Sequence, residues 1–277
     1  MTTPTPRIVD GAGAIAGATR IAPVQPVRFL RMTERNVMMY KRYWPAFIAG
    51  ILEPILYLLS IGLGVGSLVG DLPYAGRMIP YETFVASGML ATAAMNGAVF
   101  DTTFNFFIKL KYGKMYDAVL STPLEPRDVA LGEVTWALLR GAFYGACFLL
   151  TMLAFGLIES WWAILALPVV VLIGAAFASV GLACATYLRS ILDFEYINLV
   201  LMPLFLFSAT FFPLSQYPGW LAGIVEWSPL YQGVELCRAL TSGEVSAGLL
   251  VNVVYLLTMT AVGVWVAGRR IDTMLRT

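Results

Sequence analysis

Six apolar stretches, at residues 44–69, 81–107, 135–157, 162–188, 195–212 and 249–267, constrain this chain more than any other feature. A helix needs roughly 20 residues to cross about 30 Å of hydrocarbon, and only the stretch at 195–212 is rather short for it. In lipid the backbone must satisfy its own hydrogen bonds, so apolar runs of this length are expected as helices. The expected fold is an all-α integral membrane protein with six transmembrane helices. Charged residues make up 13% of the 277 residues, far below the roughly one quarter of a soluble domain.

One apolar segment cannot be a simple span. Between Leu204 and Leu240, Pro213, Pro218, Gly219, Gly223, Pro229 and Gly233 interrupt the sequence too often for one helix. Broken backbone survives at membrane depth only where protein or a water-filled cavity satisfies it. Residues 213–240 are therefore expected as re-entrant helices between spans five and six.

Charge placement sets the orientation. Of 18 Lys and Arg, the N-terminal arm holds Arg7, Arg20, Arg28, Arg31, Arg35, Lys41 and Arg42. Lys109, Lys111, Lys114 and Arg127 follow in mid-chain, then Arg189, and then Arg269, Arg270 and Arg276 in the tail. Only Arg77 and Arg238 fall on the opposite side, and Arg140 lies within the third span. The positive-inside rule then predicts cytoplasmic N- and C-termini and an external interrupted segment.

Residues 1–26 read as a flexible cytoplasmic tail without the apolar core of a signal peptide. From Val27 to Trp44 the sequence places Arg28, Arg31, Arg35 and Arg42 on one side of a helix and Leu30, Val37, Tyr40 and Trp44 on the other, the pattern of an amphipathic interfacial helix over 27–43 with its basic residues towards anionic headgroups, the alternative being a charged flank before the first span. Residues 44–268 form the transmembrane domain, and 269–277 a short cytoplasmic tail. A polar connection is expected at 71–80.

Few polar groups interrupt the spans. Glu53, beside Pro54, is costly at mid-span and should face protein or a cavity, either as a packing carboxylate at a kink or as a substrate contact. Asn96, Asp101 and Asn105 either line a shared pathway or hydrogen-bond between helices. The loop at 109–134 is the longest polar interruption in mid-chain. Met115, Tyr116, Val119 and Leu120 on a short amphipathic helix within it indicate a docking surface.

The chain has no histidine, which removes the commonest general base and transition-metal ligand. Cys147, Cys184 and Cys237 are scattered singly and read as packing residues, so no metal site is expected.

Two passages carry a family resemblance. In 114–134, Asp117, Leu120, Thr122, Pro123, Leu124, Asp128, Gly132 and Glu133 fit an acidic residue, a Leu-x-Thr-Pro-Leu turn and a closing Gly-Glu. In 203–240, Ser208, Phe211, Phe212, Pro213, Pro229, Leu230 and Arg238 fit Ser-Gly-x-Phe-Phe-Pro, then Pro-Leu-x-His and a downstream Arg. Ala209 replaces the usual Gly, and Gln232 the frequent His. The chain thus resembles permease subunits of the type-2 ABC exporter family, in particular the branch of nodulation-factor (lipooligosaccharide) exporter permeases.

The resemblance implies a coupling helix that inserts into a separate ATPase subunit, with Met115, Tyr116, Asp117, Leu120, Thr122, Pro123, Leu124, Glu125 and Arg127 at the contact. It further implies two copies of a nucleotide-binding partner, a second permease chain, and residence in a bacterial inner membrane. No GxxxxGK[ST] phosphate loop is present, so ATP and Mg are expected in the partner and no cofactor in this chain. The expected substrate is amphipathic or lipid-linked: a lipooligosaccharide, a polysaccharide or a drug. Glu53, Asn96, Asp101 and Asn105 are candidate pathway residues, and Phe211 and Phe212 are either a candidate outer gate or packing residues at the interface. The rival readings are an ion-coupled secondary transporter using Glu53 or Asp101, and a membrane-embedded lipid-modifying enzyme.

Overall fold

The computed structural model describes residues 26–42, 44–112, 124 and 126–275. Helices α1 (Pro26–Arg42) and α2 (Trp44–Val69) are followed by a hairpin of β1 (Asp71–Tyr74) and β2 (Arg77–Pro80), which leads into α3 (Tyr81–Phe100). Two π-helical turns, Asp101–Asn105 and Ile108–Tyr112, extend α3. Then come α4 (Pro126–Ala154), a 3-10 turn at Trp161–Leu165, α5 (Ala166–Ala185) and α6 (Phe194–Leu206). The chain ends with α7 (Gly219–Glu226), α8 (Pro229–Ser242) and α9 (Leu249–Leu275).

Among the described residues, five helical stretches are long and apolar enough to cross a membrane: Ile48–Val69, Tyr81–Lys111, Leu131–Ala154, Trp161–Ala185 and Leu249–Arg270. The sixth expected crossing corresponds to α6, which has 13 residues. At 1.5 Å per residue it reaches roughly 20 Å, short of about 30 Å of hydrocarbon. It stops before the expected 212 because Phe207 leaves helical geometry and Ala209 takes a left-handed φ of 53°.

Helices α3 and α5 form the centre. α5 packs against α3, α4, α8 and α9, and α3 also meets α2. Their shared core holds Phe84, Leu90, Met95, Phe148, Met152, Ile173, Leu230 and Leu256. Lipid tails are as apolar as these side chains, so close packing rather than water exclusion must hold such helices together. Small residues allow it. A Cβ at Gly88 of α3 would come within 2.9 Å of the Thr210 Cα, and one at Gly233 of α8 within 2.8 Å of Ile173 Cδ1, midway along α5.

Hydroxyls in α3 are satisfied within the helix. Ser87 donates to the Phe84 carbonyl at 2.8 Å, Thr92 to Gly88 at 2.9 Å, Thr102 to Ala98 at 2.8 Å and Thr103 to Val99 at 2.6 Å. Such back-bonding removes unpaired donors from an apolar surrounding.

The expected polar connection at 71–80 is present and takes the form of an antiparallel hairpin pairing Asp71 with Pro80 and Tyr74 with Arg77. Ala75 (φ 47°) and Gly76 (φ 81°) both adopt positive φ, as the tight two-residue turn of a twisted hairpin requires. Arg77 makes this hairpin a clamp. It pairs with Glu159 at 2.9 Å and Glu244 at 3.3 Å and donates to the Ser242 carbonyl, so β2, the α4–α5 connection and the end of α8 meet at one end of the bundle.

Candidate functional site: polar nodes at the two ends of the bundle

The opposite end is held by buried charges. Asp101, in the first π turn, pairs with Arg140 of α4 at 2.5 Å and accepts from Asn105 at 2.6 Å. Two turns further, Lys109 pairs with Glu133 of α4 at 2.5 Å, and Asn36 of α1 donates to the same Glu133 oxygen at 3.2 Å. Lys109 also donates to Asn36 Oδ1 at 3.2 Å, closing a triangle. Arg35 approaches the other Glu133 oxygen at 3.7 Å, and Thr33 donates to the Gly132 carbonyl at 3.4 Å.

Glu133 is therefore the point where α1, the π-helical end of α3 and the start of α4 converge. π turns arise where an extra residue enters a helical turn, and they cluster at functional positions. Here the widened turn places Asp101 and Asn105 together against Arg140. A buried ion pair adds little net stability over an apolar one, but removing one partner strands the other charge at a cost of roughly 3–5 kcal/mol.

One expectation about basic residues is corrected here: Arg35 turns to Glu133 rather than to lipid headgroups, and Lys109 is buried against the same carboxylate on α4. The apolar face of α1 remains uncovered at Leu30 and Val37. Cys184 is a further correction: it is exposed, while Cys237 is buried and Cys147 half-buried.

Most of the expected coupling residues, Met115, Tyr116, Asp117, Leu120, Thr122, Pro123 and Glu125, lie outside the described residues, as do the side chains of Arg127 and Glu53. Leu124 is described and half-buried. It packs on a small apolar cluster of Phe106, Val129, Leu182, Ala185 and Ala267 beside the Glu133 node. Asn96 is exposed on α3 whereas Asp101 is buried, so the structure does not bring these two together.

At the hairpin end, the Arg238 guanidinium is buried against the Phe84 ring, 3.6 Å from its centroid. It donates to the Ala209 carbonyl at 2.8 Å and to the Phe84 carbonyl at 3.3 Å, with Glu235 at 4.0 Å. The Tyr74 hydroxyl donates to Glu235 at 2.9 Å. Burial first, and then the Glu235 carboxylate, push the Tyr74 hydroxyl well above its ordinary titration range, so it stays a donor. Arg238 thus ties the 207–213 turn to α3, α8 and the hairpin.

Phe211 lies on that turn, half-buried and edge-on to Phe205 at 5.1 Å, while Phe212 is exposed. Gln232, which replaces the frequent His, donates to the Glu226 carbonyl at 2.5 Å and caps the end of α7. Sequence reasoning counted Arg238 as an external charge and missed its anchoring role; the signal was a lone arginine in an apolar helix. Glu133 was noted only as part of the Gly-Glu motif. Among the described residues, no three His, Cys, Asp or Glu side chains converge on a possible metal position.

A family model described as ABC-2 type transporter matches residues 27–242. The chain is 32% identical over 237 residues to Nodulation protein J of Sinorhizobium fredii, covering 84% of this chain and 88% of that one. It is 33% identical over 226 residues to Nodulation protein J of Rhizobium leguminosarum bv. trifolii, covering 80% and 84%. It is also 22% identical over 284 aligned positions, 99% of each chain, to the Probable doxorubicin resistance ABC transporter permease protein DrrC of Mycobacterium tuberculosis. The matched region runs from the first helix through α8 of a bundle with several membrane-length helices, and on that ground this multi-pass membrane protein belongs to the ABC-2 type transporter family, as a permease subunit of an exporter rather than an ATPase.

Proposed function

We propose that this chain forms, with a second permease chain, the membrane pathway of an ATP-driven exporter in a bacterial inner membrane, moving an amphipathic or lipid-linked substrate out of the cytoplasm. Both termini and the 109–134 loop are cytoplasmic, α6 is the fifth of six crossings, and α7 and α8 are re-entrant from the outer face. Two copies of a separate nucleotide-binding subunit dock on the loop through Met115, Tyr116, Asp117, Leu120, Thr122, Pro123, Leu124, Glu125 and Arg127. ATP and Mg reside in those subunits.

The observation that carries this reading is the Glu133 node. Lys109 and Glu133 lie at the two ends of the 109–134 segment, on the helices that flank it, and their ion pair, with Asn36, joins both ends to α1. A push on the loop would move three helices as one body. At the far end Arg238 holds the turn that carries Phe211 and Phe212, so tilting of α3 would reach the outer gate through the Phe84 contact. Few polar side chains interrupt the spans, which suits an amphipathic substrate travelling near lipid.

The test is co-purification with the nucleotide-binding partner, followed by ATP hydrolysis measured against added lipid-linked saccharides and amphipathic drugs. Asp117→Lys, or Pro123→Ala with Leu124→Ala, should abolish complex formation and stimulated hydrolysis. Unchanged transport and assembly in these variants would sink the coupling assignment. Asp101 Oδ2 is buried without a hydrogen-bond partner, which favours ion coupling as a second reading. Transport by the permease alone, driven by an ion gradient and abolished by Asp101→Asn, would establish that reading instead.

A further inference from the structure

The connection between α5 and α6 carries an unusual mixture of cations and exposed apolar side chains. Lys111, in the second π turn, donates from Nζ to the Arg189 carbonyl at 3.1 Å. Arg270 of α9 lies over the Tyr187 ring, 4.2 Å from its centroid, and its Nε is buried without a hydrogen-bond partner. Arg189 is itself exposed. Three helices therefore bring Lys111, Arg189 and Arg270 around one short turn, and among the described residues none of the three is in a salt bridge with a carboxylate.

The nearby acid, Asp193, feels Arg189 and Lys111 without pairing with either, so it offsets only part of the charge of three cations. The Asp193 carboxylate caps the turn, accepting from the backbone amides of Arg189 at 2.7 Å and Ser190 at 3.0 Å. Glu195 is exposed further along, at the start of α6. Beside the cations, Tyr187 is 57% exposed, Ile191 43% and Leu192 77%, far more apolar surface than a site for a small dissolved anion would need. Cations next to outward apolar side chains at a helix-bundle rim are what a phospholipid requires, one part for its phosphate and the other for its acyl chains.

We propose that Lys111, Arg189 and Arg270, with Tyr187, Ile191 and Leu192, form a binding site for the phosphate and upper acyl region of an anionic phospholipid at the basic end of α3, α5 and α9. The Tyr187 ring holds the Arg270 guanidinium flat. That leaves its edge to meet phosphate oxygens, a geometry a lysine cannot reproduce. The site requires only that the chain span a membrane, so it stands or falls separately from the export reading.

The test uses the full chain in detergent, with native mass spectrometry against equimolar phosphatidylglycerol and phosphatidylcholine of matched acyl length. The wild type should retain phosphatidylglycerol several-fold over phosphatidylcholine, and Lys111→Gln/Arg189→Gln/Arg270→Gln should bring the ratio to parity. Arg7→Gln, which removes an arginine of the N-terminal tail and changes the net charge by the same step as one of these substitutions, should leave the preference unchanged. Arg270→Lys and Tyr187→Leu retain the net charge and should each lower the preference at least twofold, which keeps the test decisive if the triple variant does not fold. Equal retention of the two lipids by the wild type, or an undiminished preference in the triple variant or in both single variants, overturns the proposal. So does an equal loss in Arg7→Gln, which would mean a general effect of positive charge. Displacement of phosphatidylglycerol by millimolar inorganic phosphate would reassign the site to a free anion.

Discussion

Arg238 donates to the carbonyl of Ala209 across 2.8 Å, and that carbonyl belongs to a non-glycine residue held at φ 53°. An arginine buried in an apolar wall and a backbone in an unfavourable conformation therefore stabilise each other: the turn presents its carbonyl because Ala209 is left-handed, and the guanidinium is satisfied because the carbonyl is there.

The first consequence concerns Ala209 itself. A left-handed backbone costs an L-residue roughly 1–2 kcal/mol that glycine does not incur. Ala209→Gly should raise stability by about 1 kcal/mol after the greater chain entropy of glycine is subtracted, and Ala209→Val should lower it. Thermal unfolding in detergent, followed by tryptophan fluorescence, measures both. A lower midpoint for Ala209→Gly would contradict the assigned backbone geometry.

Arg238→Met should destabilise by roughly 3–5 kcal/mol, because it leaves two buried carbonyls without their donor and removes the cation beside Glu235, which keeps only Tyr74. Arg238→Lys should recover only a minor part, since an ammonium cannot lie flat on Phe84 and reach both carbonyls. Proteolytic cleavage within 207–217 should become faster in both variants. Cleavage at the wild-type rate would mean that the turn is held by something else.

At the opposite end, Glu133→Leu should cost about 3–5 kcal/mol because it strands the buried Lys109 ammonium, and Lys109→Met should cost less, since Arg35 and Asn36 still face Glu133. The double variant should cost less than the sum of the singles, with a coupling energy of about 1–3 kcal/mol. Chemical denaturation of the four proteins closes the cycle. Additive losses would show that the 2.5 Å contact carries no energy of its own.

Asp193 supplies a pH dependence. The backbone amides of Arg189 and Ser190 hold its carboxyl below the ordinary carboxylate range. A depressed folded value means that the stabilisation is fully present above the unfolded value of about 3.9 and is lost as pH falls through the lower folded value. Asp193→Asn keeps an acceptor but does not titrate. The difference in thermal midpoint between wild type and this variant should therefore shrink as the pH is taken from 5 towards 3; a constant difference would mean that the capping contact does not form.

Several features were readable in advance for definite reasons. Long apolar runs determine where membrane-length helices form, since lipid leaves the backbone no other partner, and the stretch at 195–212 already looked short before α6 proved to have 13 residues. The prolines and glycines of 213–240 announced the break between α7 and α8, where Ser228 and Pro229 start the second helix. The hairpin at 71–80 was not readable: its strands have four residues each, and its turn is Ala75-Gly76 without the usual Asn or Asp. The site was less legible still. Periodicity placed Arg35 on the basic side of α1, but it could not reveal that Glu133, 98 positions later, faces the same helix.

The sequence by itself determined that this is a multi-pass membrane protein with one interrupted segment, and its two motifs pointed to the family, because hydropathy and chain-breaking residues act locally. Which few charges are buried, and against whom, was decided only by tertiary structure. An ion pair such as Lys109–Glu133 or an anchor such as Arg238–Ala209 depends on helices distant in sequence meeting at one depth. Local pattern carries no record of that depth; packing of α3 against α4, α5 and α8 sets it.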